Sequence, residues 1–287
     1  MYRRQTHIVC MIVCQCFLTA AYKHVIFMHG ILSGPWESSE LEAYIQQVHP
    51  GTNVTSIDAF TFLGSLTTMW TQVYKIQIQV HQIMEENPEG IHLICYSQGG
   101  LICRGLLSIL QHNVESFVSL SSPLAGQFGD TVYLKYLFPT YLKENLYKFF
   151  YTERGQNISV ANYWNDPHHQ ELYRMWATYL PVLNNETHNE QSFKFKENFL
   201  RLKTMVLVGG PDDGVIAPWQ SSQFGSFDSN ETVIPMREQK WYINDSFGLL
   251  TLDKRKAVHL FTHHGVQHVH WYRNRTIFDC CIEPYLT

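Results

Sequence analysis

One stretch constrains this chain more than any other: Ile91-His92-Leu93-Ile94-Cys95-Tyr96-Ser97-Gln98-Gly99-Gly100. An apolar run halts at a serine, and two glycines then release the backbone into Leu101-Ile102-Cys103-Arg104-Gly105-Leu106-Leu107. A short apolar run of this kind fits a buried strand and its continuation a buried helix, which places the serine at a strand–turn–helix corner. Glycine belongs there because a side chain would collide with the neighbouring strand or helix. A hydroxyl at such a corner stands exposed at the end of a sheet. The same four residues also describe a serine capping an ordinary helix, so the corner gains chemical meaning only through partners elsewhere in the chain.

The surrounding pattern supplies the sheet. His24 to Met28 reads as a buried strand running into the turn His29-Gly30-Ile31-Leu32. Glu37 to Val48 carries apolar residues at helical spacing (Leu41, Tyr44, Ile45, Val48), and Thr52 to Ile57 reads as a second strand. Leu66 to Glu86 predicts a long helix with the stripe Met69, Val73, Ile76, Val80 and Ile83. The helix after Ser97 is expected to end near Gln111-His112-Asn113, followed by a strand from Val114 to Leu120. Further strands are expected at Thr204–Val208 and Ala257–Phe261, and a last helix from about Trp271 to Cys281. Short apolar strands alternating with helices predict an α/β fold, a mostly parallel sheet with helices on both faces. Between about 124 and 200 the alternation lapses into a stretch rich in Tyr, Phe, Trp, Leu and Met. This reads as a helical insertion over the sheet, whose aromatics serve either as plain core or as a ligand groove. No repeat or linker divides residues 22–287, so one domain is expected.

A serine hydroxyl needs a base within hydrogen-bond reach, and that base needs a carboxylate to hold its tautomer. In the α/β-hydrolase fold the order along the chain is serine, acid, histidine. Asp212 and Asp213 follow the Thr204–Val208 strand, and the continuation Gly214-Val215-Ile216-Ala217-Pro218 favours Asp213 as the residue turned toward the sheet. Of His263, His264, His268 and His270, His268 is favoured because it follows a glycine in the loop and precedes the final helix. The oxyanion formed on attack needs backbone donors. The N–H of Gln98 and that of Ile31 are the candidates, with Gly30 allowing close approach and His29 supporting the loop.

Residues 1–21 stand apart: Arg3 and Arg4 precede an apolar run from Ile8 to Leu18 and then Thr19-Ala20-Ala21. This reads as a secretory signal peptide cleaved near Ala21. The run is too short for the roughly 20 apolar residues of a membrane span. Its removal takes Arg3 and Arg4 from the 21 basic residues and leaves 19 against 25 acidic ones, a formal charge of −6. With no basic block, nucleic acid is not an expected partner. Six glycosylation sequons follow, at Asn53, Asn157, Asn185, Asn230, Asn244 and Asn274, consistent with the secretory route. Of the cysteines beyond the leader, Cys95 and Cys103 lie within bridging reach across the corner. Adjacent cysteines do not easily bridge to each other, which leaves Cys280 and Cys281 as candidate free thiols. No CxxC pair is present, and Asp166-Pro167-His168-His169 lacks a further ligand at motif spacing, so no metal site is expected.

Taken together, these residues resemble the palmitoyl-protein thioesterase family, most closely its type-2 lysosomal branch, over nearly all of the chain beyond the leader. The blocks that carry the resemblance are His92 to Gly100, Tyr163-Trp164-Asn165-Asp166-Pro167-His168-His169, and Gly209-Gly210-Pro211-Asp212-Asp213-Gly214-Val215-Ile216. It implies a glycosylated lysosomal hydrolase of long-chain acyl thioesters, of protein, peptide or coenzyme A, with Ser97, Asp213 and His268 as its triad. It also implies a Cys95–Cys103 disulfide and no cofactor. The family's other disulfides would need cysteines at Phe150, Ala161 and Phe261, where this chain has none. Two other readings share the same residues: a lipase or carboxylesterase acting on oxygen esters, and a secreted lipid-binding protein that has lost catalysis.

Overall fold

The computed structural model describes residues 22–140 and 142–287, so the leader at 1–21 lies outside the described residues. Six strands form the main sheet: β1 (His24–Met28), β2 (Val54–Ser56), β3 (Ile91–Tyr96), β4 (Val114–Leu120), β5 (Thr204–Gly209) and, after a small hairpin of β6 (Ser226–Phe227) and β7 (Val233–Ile234), β8 (Val258–Thr262). Their order is β2-β1-β3-β4-β5-β8 and every pairing is parallel. The expected α/β architecture is therefore present. The hairpin had no clear signal in the sequence.

Alternation along the strands explains the two cores. Ile26, Met28, Leu93, Cys95 and Phe117 face one side, while Val25, Phe27, Ile94, Tyr96 and Val118 face the other. Because both faces are covered, the strands read as continuous apolar runs rather than as alternating ones. Helices α1 (Ser39–Val48) and, at the end of the chain, Arg275–Cys281 cover one face through Leu41, Ile45, Ile277 and Phe278. Helices α2 (Met69–Glu86) and α3 (Gln98–Ile109) cover the other. The five residues of the predicted stripe on α2 are all buried. That helix begins at Met69 rather than Leu66 because the Thr68 side chain accepts from the N–H of Thr71 and caps it.

Between β4 and β5 lies a run of short helices: α4 (Val132–Leu137), α5 (Lys143–Phe150), α6 (Ser159–Asn162), α7 (Gln170–Trp176), α8 (Leu180–Leu183) and α9 (Ser192–Phe199). The block Tyr163 to His169 knits this insertion together. Asn165 N–H donates to Gln127 O, Gln127 N–H to Tyr163 O, and the buried Asp166 accepts from His169 Nδ1 at 2.9 Å. Asp166 and His169 thus pair with each other. Arg104 on α3 ties the insertion down by donating to Leu124 O and Asn184 Oδ1, its guanidinium lying over the rings of Phe224 and Phe247. Two further helices, α10 (Lys240–Ile243) and α11 (Leu249–Lys254), precede β8, and α12 is the closing helix Arg275–Cys281. Among the described residues no helix is long and apolar enough to cross a membrane.

Among the described residues two disulfides are present, Cys95–Cys103 and Cys280–Cys281. The first follows the expected pairing. The second corrects the expectation of free thiols at Cys280 and Cys281. Neighbouring side chains on a regular helix diverge by about 100°, but this pair occupies the last two positions of α12, where the chain leaves the helix at Ile282.

Candidate active site

The chain leaves β1 to form β2 on one side and returns to form β3 on the other. That reversal opens a crevice at the carboxyl ends of β1 and β3, the place where ligands bind in open parallel sheets. Ser97 follows β3 and Ile31 follows β1, so both sit at this point. Ser97 has φ 53°, a left-handed conformation that a non-glycine residue adopts only where its surroundings enforce it. They do: its N–H donates to Leu120 O, and its carbonyl accepts from Gly100 N–H. A Cβ on Gly99 would strike the carbonyl oxygens of Met28 and His29, and one on Gly100 the side chain of Ser122. The two glycines are what allow α3 to start against β1 and the segment after β4. Cys95 and Cys103 bridge the strand to the helix around the same corner.

The structure brings Ser97, His268 and Asp213 together. His268 Nε2 lies 2.9 Å from Ser97 Oγ, and His268 Nδ1 lies 2.8 Å from Asp213 Oδ2. The backbone N–H of His268 also donates to Asp213 O, fixing the two loops to each other. All three residues are buried. The competing candidates lie elsewhere. Asp212 is exposed and accepts from Gly265 N–H, His264 and His270 are exposed, and His263 packs against the sulfurs of Cys280 and Cys281.

Two residues around Asp213 had no signal in the sequence. Its Oδ2 also accepts from Trp271 Nε1 and Ser121 Oγ, each at 2.6 Å, while Oδ1 accepts from the N–H groups of Val215 and Ile216. Trp271 reaches the carboxylate because residues 268–273 form a 3-10 turn and not the first turn of an α-helix. In that geometry residues three apart share a face, so His268 and Trp271 point at the same oxygen. Burial works against the charge on Asp213. The hydrogen bond and charge of His268, with the Ile216 N–H and Ser121 hydroxyl, outweigh it and hold the carboxyl below its ordinary range.

Ser97 opens onto two clefts. One is apolar, about 390 Å³ including its mouth, and is lined by Ile31, Pro123, Leu134, Leu137, Val160 and Ile216 among others. The other is more polar and runs past His268 between Ser33, Glu37, Trp36, Phe62 and Val269. The insertion supplies the wall of the first, and Tyr163 OH donates to the side chain of Gln98, which in turn donates to Ser65 O. Gln98 is the first residue of α3, where backbone N–H groups have no partner within the helix. Ile31 lines both clefts beside Ser97. His29 is buried with its ring nitrogens against the carbonyl oxygens of Gly30 and Ala59, a position that ties the loop after β1 together.

A six-stranded parallel sheet with a serine at this corner and an acid and histidine on its late loops defines an α/β-hydrolase. A solved structure with the same fold is the mature lipase BlEst2 of Bacillus licheniformis, which matches with a TM-score of 0.53 and 11% identity over 93% of this chain and 94% of the other. The sequence of residues 24–268 matches the family described as palmitoyl protein thioesterase, and the chain belongs to that family. Its relatives include the lysosomal thioesterase PPT2 of Rattus norvegicus, 51% identical over 93% of this chain and 89% of that one. The lysosomal thioesterase PPT2 homolog of Drosophila melanogaster is 41% identical over 94% of this chain and 93% of that one.

Proposed function

We propose that this protein is a lysosomal serine hydrolase of long-chain acyl thioesters, acting through Ser97, His268 and Asp213. The observation that carries the reading is the hydrogen-bonded chain Asp213–His268–Ser97, opening onto an apolar pocket in a member of a thioesterase family. The acyl chain lies in the apolar cleft and the thiol carrier in the cleft beside His268. Ser97 Oγ attacks the thioester carbonyl carbon while His268 Nε2 takes its proton and Asp213 holds the other ring nitrogen. The N–H groups of Gln98 and Ile31 stabilise the oxyanion, each worth on the order of 3 kcal/mol. Collapse breaks the C–S bond and releases the thiol, which needs less help from a proton donor than an alkoxide because a thiol is the stronger acid. Water, deprotonated by His268, then cleaves the ester on Ser97 and returns the serine with a free fatty acid. The residues need no metal or cofactor for these steps.

The secretory route is part of the same proposal. It is supported by the leader at 1–21 and by the sequons, of which Asn53, Asn157, Asn185, Asn230 and Asn244 are exposed and Asn274 is half-buried. The Cys95–Cys103 disulfide fits an oxidising environment during folding.

Steady-state assays with acyl-CoA and the matching oxygen ester test the substrate class between about pH 5 and pH 7, where histidine titrates. The thioester is expected to turn over faster; faster turnover of the oxygen ester would reassign the protein as an esterase. Ser97→Ala is expected to lower kcat by at least about 10⁴-fold with an unchanged circular dichroism spectrum. Unchanged turnover in that variant would leave the serine without a catalytic role.

A further inference from the structure

We infer that His263, Cys280 and Cys281, once the two cysteines are reduced, form a binding site for one zinc-class cation, distinct from the Ser97 centre. The three donor atoms lie within 4.8 Å of one another. His263 Nε2 is 3.3 Å from Cys281 Sγ and 3.4 Å from Cys280 Sγ. A tetrahedral zinc ion with bonds of about 2.3 Å to sulfur and about 2.0 Å to nitrogen spaces its ligands roughly 3.5–3.8 Å apart. The imidazole nitrogen therefore already stands near coordination spacing from both sulfurs, and only the sulfurs have to separate.

The scaffold around the donors is fixed. His263 N–H donates to Gly209 O at the end of β5, and both cysteines belong to α12, packed against the sheet through Ile277 and Phe278. Access is available from one side, because His263 and Cys280 are partly exposed while Cys281 is buried. Two thiolates and one imidazole form a donor set that favours zinc or copper(I) over calcium or magnesium. Three protein ligands leave the fourth position open to water, as in zinc sites that are not closed by a fourth side chain.

Loading proceeds in two balanced steps. A dithiol donates two electrons to the Cys280–Cys281 bond, which opens to two thiols while the dithiol closes to its own disulfide. The cation then displaces a proton from each thiol and takes the lone pair of His263 Nε2. The disulfide form offers no thiolate, so the oxidation state of the pair decides whether the site exists.

Cobalt(II) is a suitable probe because thiolate ligation gives it intense near-ultraviolet charge-transfer absorption. Protein purified with both disulfides intact is treated with dithiothreitol, freed of it without air, and titrated with cobalt. The expected result is that absorption, saturating at about one cobalt per chain and bleached by zinc. Unreduced protein and the reduced variant Cys280→Ser/Cys281→Ser should both lack it. The double variant keeps Cys95 and Cys103, so absorption surviving in it would come from that pair and overturn the assignment. Absence of cobalt binding after confirmed reduction of Cys280 and Cys281 would also overturn it. His263→Ala, which leaves the cysteines in place, should weaken cobalt affinity by at least the roughly 10-fold that even an indirect partner of a metal ligand is worth. Unaltered affinity in that variant would remove His263 from the site and refute it.

Discussion

Asp213 is a buried carboxylate whose charge is maintained by geometry. Burial alone would raise its pKa, yet the bonds to its two oxygens more than offset that cost. A folded-state pKa below the unfolded one means that the contribution of this group to stability exists above the unfolded value and is lost as pH falls through the folded value. For an enzyme of an acidic compartment, the orienting charge then persists where an ordinary carboxylate would begin to protonate. Trp271→Phe keeps the ring packing and deletes one donor. We expect kcat/KM near neutral pH to fall by about tenfold, the lower end of what a hydrogen bond to a charged group is worth. The acid limb of the pH–rate profile should move to higher pH, and the thermal midpoint near neutral pH should fall, because the buried carboxylate loses a donor that stabilises its charge. An unmoved acid limb would show that Trp271 only fills space. At this scale the sequence was most legible where order along the chain constrains chemistry, as for Ser97, Asp213 and His268. Ser121 and Trp271 were not legible because their roles depend on a loop path and on a 3-10 turn where an α-helix was expected.

Among the elements, α3 depends on the clearest local instructions. Gly99 and Gly100 permit its approach, and Cys95–Cys103 closes a short loop around its first turns. Cys95→Ala/Cys103→Ala should lower unfolding free energy in urea by about 2–3 kcal/mol, the magnitude for a short cross-linked loop. The apolar cleft makes a different prediction, because its wall comes from α4 and α6. Val160→Phe should narrow it, reducing kcat/KM for long acyl chains relative to short ones by about fourfold for each methylene denied burial, at about 0.8 kcal/mol apiece. A uniform loss at every chain length would place the acyl group elsewhere. Periodicity revealed α2 with its whole buried stripe because one face of a long helix repeats the signal many times. It could not divide residues 124–200 into α4 to α9, since helices of one or two turns repeat nothing. There the fold is set by bonds between distant residues, such as Asn165 to Gln127 and Arg104 to Asn184.

At the scale of the whole molecule, the alternation of short apolar strands with helices, together with the serine corner, made the parallel sheet legible, and the sheet's reversal between β1 and β3 determines where the crevice opens. The same dense core holds His92 and His112 neutral: burial pushes each pKa from 6.5 to about 4. Between those values the unfolded chain binds protons that the native state refuses, so stability must fall as pH drops from about 6.5 toward 4. His112 Nδ1 accepts from Val114 N–H, a bond that asparagine can imitate without titrating. The thermal midpoint of His112→Asn should therefore decline less steeply than that of the parent across this range. Parallel curves would mean that His112 does not contribute to the acid sensitivity.

The two clefts that meet at Ser97 have a kinetic consequence. If the acyl group and its carrier occupy separate arms, the carrier can depart while the acyl chain stays seated, and the vacated arm becomes the path by which the second reactant arrives. Water is then only one competitor for the acylated serine. A small thiol or alcohol that fits between Trp36 and Val269 should intercept it, giving ping-pong kinetics and a transfer product whose share rises with acceptor concentration. The protein that hydrolyses a thioester would, in the presence of such an acceptor, act as an acyltransferase.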